Sequence, residues 1–149
     1  MSDNKQIEQV TDPIVSVSAF GYELIRDILL PELLGKETPA ILYWAGKGLA
    51  RKFPLDSIEQ VVDFFEQAGW GTLSLIEHKK NELEFELSSE LITRRFKIKD
   101  DCSFQLEAGF LAQQIESQRK TTAEAYEHPK KRAGKVIFTV KWDKKDVVD

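Results

Sequence analysis

The stretch Ile41 to Phe53, ILYWAGKGLARKF, has helical spacing yet carries Gly46 and Gly48 near its middle. Each interior glycine costs a helix about 1 kcal/mol relative to alanine. A second segment, DCSFQLEAGFLAQQIESQRK, repeats the anomaly with Gly109 inside another helical pattern. Two helices that each give up a side chain in mid-run must either approach each other closely or flank one pocket. The GKG tripeptide is not a phosphate loop, because it lacks both the Gly-rich lead-in and the Ser or Thr after the lysine.

The remaining pattern places those helices in an α+β order. Residues 1–13 are polar and end in Asp12-Pro13, which predicts a disordered arm. Val17, Phe20, Leu24 and Ile28 form a helical stripe, widened by Ile25 and Leu29, with Ser16 or Ser18 as the cap. Pro31 kinks or restarts this helix and Gly35 stops it. Thr38-Pro39 reads as cap plus first-turn proline for the second helix. A third follows a cap at Asp56 or Ser57, buries Ile58, Val61, Val62 and Phe65, and ends at Gly69. The period then changes to two. Leu73 and Leu75 face Leu83, Phe85 and Leu87 across a turn near Lys79 to Asn81, with Glu82, Glu84 and Glu86 on the other face. A short mixed helix at 88–99 precedes the Gly109 helix, whose cap is expected at Asp100 or Asp101 with Cys102 in its first turn. A second hairpin runs from TTAEAYE through HPKKRAG into KVIFTVKW, where Val136, Phe138, Val140 and Trp142 point inward, and a polar tail DKKDVVD follows. The order is ααα-ββ-αα-ββ: one domain over 1–149, with helices packed on a four-stranded antiparallel sheet made of two hairpins.

Composition excludes several function classes. The chain has 149 residues, a formal charge of −4 and one cysteine. An acidic balance argues against nucleic-acid binding, and a single thiol forms no internal disulfide and suits a reducing compartment. The start MSDNKQIEQVTD does not resemble a signal peptide, and no apolar run approaches the roughly 20 residues of a membrane-spanning helix. A cytoplasmic protein is expected. His78 and His128 lack the spacing of a metal site and read as surface residues at hairpin ends, so no metal and no cofactor is expected. No nucleophile–base pair is visible, so no enzymatic activity is expected either. Residues 119–145 hold nine Lys/Arg against three acids, a charged turn that blunts a hairpin.

Longer segments carry a family likeness. YELIRDILLPELLG, YWAGKGLARKFPL, FFEQAGWGTL, FQLEAGFLAQQI and KVIFTVKWD resemble the YslB-like proteins of Gram-positive bacteria over nearly the whole chain. More distantly, Ala45-Gly46, Gly69-Trp70-Gly71, Cys102 with Phe104 and Gly109, and Gly134 with Phe138 resemble the four-vinyl-reductase domain and the TRAPP-type tethering subunits. Those share a fold with nitric-oxide-signalling and Golgi-transport domains. The two later cysteines of the vinyl-reductase type are absent, so its thiol or metal chemistry is not implied here. The resemblance implies two functions. One is a homodimeric interaction or scaffold domain, its dimer surface on the first helix at Phe20, Leu24, Ile25, Ile28, Leu29 and Leu33. The other is a domain binding an apolar small molecule or lipid between helices and sheet, in a pocket formed by Tyr43, Trp44, Gly46, Trp70, Cys102, Phe104, Gly109 and Phe110.

Overall fold

A computed structural model describes residues 15–147, with side chains described to 143. The expected arm at 1–13 lies outside the described residues. The first helix, α1, is continuous but composite: an α segment Ala19–Glu23, a π segment Leu24–Leu29 and an α segment Leu30–Leu34. Ser18 rather than Ser16 caps it, its Oγ accepting from the Phe20 and Gly21 amides, and Val17 lies before the helix. Pro31 has no N–H to give the Asp27 carbonyl four residues back. The wider π turn absorbs this irregularity, and Lys99 Nζ donates to that carbonyl instead, at 3.2 Å.

After a short 3-10 turn at Gly35–Glu37, α2 spans Thr38–Lys52. Thr38 is not its cap, as the sequence had suggested: it lies inside the first turn, and its hydroxyl donates back to the Gly35 carbonyl. Ser57 caps α3, Ile58–Gln67. Strands β1, Thr72–Lys79, and β2, Glu82–Ser88, form the first hairpin. A register shift between Leu75 and Glu77 ends the expected alternation, leaving Leu75 exposed at the sheet edge. Helix α4 is Glu90–Ile98 and α5 is Gln105–Arg119. Strands β3, Thr121–Lys130, and β4, Lys135–Val147, form the second hairpin. The expected polar tail is in fact the last part of β4, paired as far as Val147 with Thr121.

The sheet order is β1-β2-β4-β3, all antiparallel. Its inner face carries Leu73, Leu83, Phe85, Leu87, Ala123, Ala125, Val136, Phe138 and Val140, all buried. On its outer face Glu86 pairs with Lys135 at 3.0 Å, and Glu82 stands opposite Lys141. Helix α5 lies across the inner face with α2 stacked on it, so α5 is buried on nearly every side from Glu107 to Ile115. Buried Gln114 holds the Pro54 loop by accepting from the Leu55 amide and donating to the Phe53 carbonyl.

The stacking of α2 on α5 explains the interior glycines. A Cβ on Gly46 would stand 2.2 Å from the Leu106 carbonyl oxygen, and one on Gly109 would stand 2.0 Å from that of Tyr43. The arrangement is reciprocal: each glycine receives the partner helix's backbone three residues before the partner's own glycine. Gly48 faces open space and has no such role.

At its β3 edge the sheet has two of its outward donors occupied. The Ala123 amide donates to Glu116 Oε1 at 3.1 Å and the Ala125 amide to Tyr43 Oη at 3.0 Å. Pro129 has no amide hydrogen.

Candidate functional site

Helix α1 has its polarity reversed. Glu23, Arg26 and Asp27 are 1%, 6% and 3% exposed, whereas Phe20, Leu24, Ile25, Ile28, Leu29 and Leu33 are 41–69% exposed. A helix lying on a domain normally buries its apolar stripe. Here the charged side faces inward because the body of the protein offers matching charges. Arg94 Nε donates to Glu23 at 2.8 Å, Arg26 Nη2 to Glu107 at 2.6 Å, and Arg95 to both Asp27 oxygens at 2.9 Å. The bond from Arg94 holds the Glu23 carboxyl below the usual carboxylate range. Burial opposes the charge on Arg26, but Glu107 more than compensates and raises its affinity for the proton. Arg95 also donates to the Ser103 carbonyl and lies over the Phe104 ring at 4.4 Å. The stripe read from sequence is therefore the outer face of α1, not the part that packs on the core.

The eight residues expected to line one apolar pocket lie in different places. Gly46 and Gly109 meet opposing backbone. Trp70 and Phe110 belong to an aromatic cluster with Phe64 and Phe65, with Phe64 and Phe110 stacked at 4.6 Å and Trp70 edge-on to Phe110 at 5.3 Å. Phe104 is fully buried against Phe96. Tyr43 and exposed Trp44 line an open groove beside β3, where the Tyr43 hydroxyl donates to Glu124. Burial and that carboxylate push the Tyr43 hydroxyl well above its ordinary range. Cys102 is buried in the same core as Phe104 and Phe110 and also lines a separate small cavity of mixed character.

Cys102 is buried, and its position differs from the one read from sequence. It precedes α5 instead of sitting in its first turn, because neither Asp100 nor Asp101 caps that helix. The first amides are met by Ser103 Oγ and, from the inner face of β3, by the Glu127 carboxylate, which accepts from the Phe104 amide at 3.2 Å and from Gln105 Nε2 at 2.6 Å. Burial pushes the Cys102 thiol up to about 11. In the folded protein at pH 8, reaction with a thiol-specific disulfide reagent is expected roughly 100-fold slower than for free cysteine, from the lost thiolate fraction alone. Unfolding in urea should restore the ordinary rate, and absorbance stopped-flow reads both. Among the described residues, no three of His, Cys, Asp and Glu are grouped to hold a metal. His78 and His128 are both exposed, His78 with Arg119 and His128 with Thr139 as neighbours.

The cavity beside Cys102 has a volume of about 230 Å³. It lies between α1, the Gly35–Thr38 link and the segment joining α4 to α5. Arg26, Asp27, Lys99, Leu42 and Cys102 form its walls, and exposed Lys36 and Asp101 also border it. Sequence reasoning missed this site. The available clue was Glu107, an acid inside the otherwise uncharged run FQLEAGFLAQQI.

Comparison with known proteins places the chain. A protein of Bacillus subtilis (strain 168) described as "Uncharacterized protein YslB" is 54% identical over 134 residues, covering 90% of each chain. A solved vinyl-4-reductase family protein from Methanocaldococcus jannaschii has a similar fold, with a TM-score of 0.67 at 19% identity, over 91% of this chain and 87% of that one. The phenol-responsive sensory domain of the transcription activator PoxR matches with a TM-score of 0.61 at 11% identity, over 87% of this chain and 76% of that one. At those identities the likeness is one of fold, and it agrees with the α+β arrangement of helices on a four-stranded sheet. Among the described residues no helix is long and apolar enough to cross a membrane. The family described as "Protein of unknown function (DUF2507)" matches residues 19–141, and the chain belongs to it.

Proposed function

We propose that this chain is a non-catalytic cytoplasmic protein that works as a homodimer, with the outer face of α1 as the interface. One observation carries the reading: six large apolar side chains stand exposed along one helix whose charged side is buried. A contiguous exposed apolar face of that kind marks an interaction surface. A second copy is the occupant the chemistry favours. The face is apolar except for exposed Glu32 near its end, and an apolar face of this kind can pair with its own copy across a two-fold axis. A membrane surface fits less well. Interfacial helices present lysines and arginines beside their apolar face, whereas the arginine of this helix is buried in an ion pair.

The wild-type protein should have twice the chain mass by light scattering at micromolar concentration. Ile25→Glu with Leu29→Glu should give a folded monomer, since both positions are half-exposed in the single chain. A wild-type monomer would overturn the reading.

A second reading, small-molecule binding as in the phenol-responsive domain of the same fold, has one observation in its favour: the cavity beside Arg26. At about 230 Å³ it suits a small ligand and not a lipid chain.

A further inference from the structure

We infer that the cavity between α1 and the α4–α5 segment is a binding site for a small organic carboxylate. The inference rests on the small-molecule reading and names the ligand's class; the dimer stands independently of it.

The first support is an unanswered donor. Arg26 is 6% exposed and lines the cavity. Its Nη1 donates to Tyr22 Oη at 2.7 Å and its Nη2 to Glu107 at 2.6 Å. Its Nε is buried and has no hydrogen-bond partner among the described residues. A buried N–H on a cation left without an acceptor is costly and uncommon in native proteins. The Nε atom has almost no surface open to the adjoining cavity, so an acceptor entering there meets it through a small shift of the guanidinium.

Charge is the second support. Five charged groups line the space: Arg26, Lys36 and Lys99 against Asp27 and Asp101. Asp27 is not available to balance the lysines, because Arg95 holds both its oxygens. Lys99 Nζ reaches the Asp27 carbonyl at 3.2 Å and keeps further donor capacity. A carboxylate accepting from Arg26 Nε and Lys99 Nζ would form charge-assisted bonds, the stronger kind.

Size and lining set the rest of the ligand. A cavity of about 230 Å³ exceeds the roughly 150 Å³ that holds benzene in an engineered protein core. Leu42, Pro31, Pro39 and the Cys102 thiol supply apolar wall. The fit is an acid with a short apolar tail, more than a bare inorganic anion.

The test is titration of the full chain, ¹⁵N-labelled, with sodium propionate, propionamide, inorganic phosphate and chloride at matched ionic strength. Side-chain arginine Nε–Hε and backbone resonances give the readout. Propionate should produce a saturable shift of the Arg26 Nε–Hε resonance and of the Cys102 and Ser103 amides. Lys99→Gln should weaken it roughly tenfold, a step of about 1.4 kcal/mol. Arg26 itself is left unmutated, because its loss would strand Glu107 in the interior. Equal saturable shifts with propionamide would overturn the carboxylate class and leave a neutral small-molecule site. Tighter saturation by phosphate would overturn the organic acid in favour of an oxyanion. No saturable response to any probe would overturn both the site and the small-molecule reading.

Discussion

Replacing Gly109 by alanine is expected to cost about 3 kcal/mol or more, at the upper end of overpacking effects. The new Cβ would stand 2.0 Å from the Tyr43 carbonyl oxygen and 2.9 Å from its carbon. Those are backbone atoms in the middle of a 15-residue helix, so no side-chain rotation relieves the clash. Helices α2 and α5 would have to separate, and α5 cannot retreat because the sheet lies behind it. Gly46→Ala meets the reciprocal obstacle and should behave alike. Gly48→Ala is the internal control. It has open space and helical backbone, and should stabilise by about 0.5–1 kcal/mol through helix propensity. Urea unfolding at one fixed protomer concentration reads all three, with midpoints compared at unchanged slope. Near-wild-type midpoints for both Gly46→Ala and Gly109→Ala would show that the two helices do not touch at these glycines.

The second large effect is expected at Asp27. Asp27→Asn leaves the Arg95 guanidinium, 2% exposed, without its counter-charge. Breaking a buried pair from one side costs about 3–5 kcal/mol. Two comparisons isolate the cause. Glu23→Gln strands only Arg94, whose side chain is half-exposed and can be hydrated, so its loss should be clearly smaller. Asp27→Leu combined with Arg95→Met removes both charges and should recover much of the loss, as apolar replacement of buried pairs often does. If the double variant were as unstable as Asp27→Asn, the burial of an uncompensated charge would not be the cause. The effect should also persist at high salt, since a dry pair is little screened.

How far the sequence could be read depended on whether the deciding contact was local. The switch from helical to alternating spacing at Trp70-Gly71 located the first hairpin, and the alternation of Leu83, Phe85 and Leu87 against three glutamates named its faces. Gly46 and Gly109 pointed to a close helix pair or a flanked pocket, because a missing side chain in a helix has few other uses, and the backbone contacts show the first. The failures were at contacts made across the chain. Asp100 and Asp101 are good caps by type, yet α5 is capped from β3 by Glu127, more than 20 residues away. In α1 the apolar stripe was found and read as a dimer surface, but nothing in the spacing showed that the charged side packs on the core. Periodicity tells which residues share a face, not whether that face meets the core. The inward turn of Glu23, Arg26 and Asp27 depends on Arg94, Arg95 and Glu107, which no spacing rule connects to them.

The occupied edge of β3 bears on how copies of this chain can assemble. With Glu116 and Tyr43 holding two of its outward amides and Pro129 lacking a third, that edge offers little for an incoming strand to continue. Growth by strand addition is discouraged at that edge. Under the two-fold pairing proposed for α1, the interface closes after two copies, which would keep a large apolar helix face from driving polymerisation.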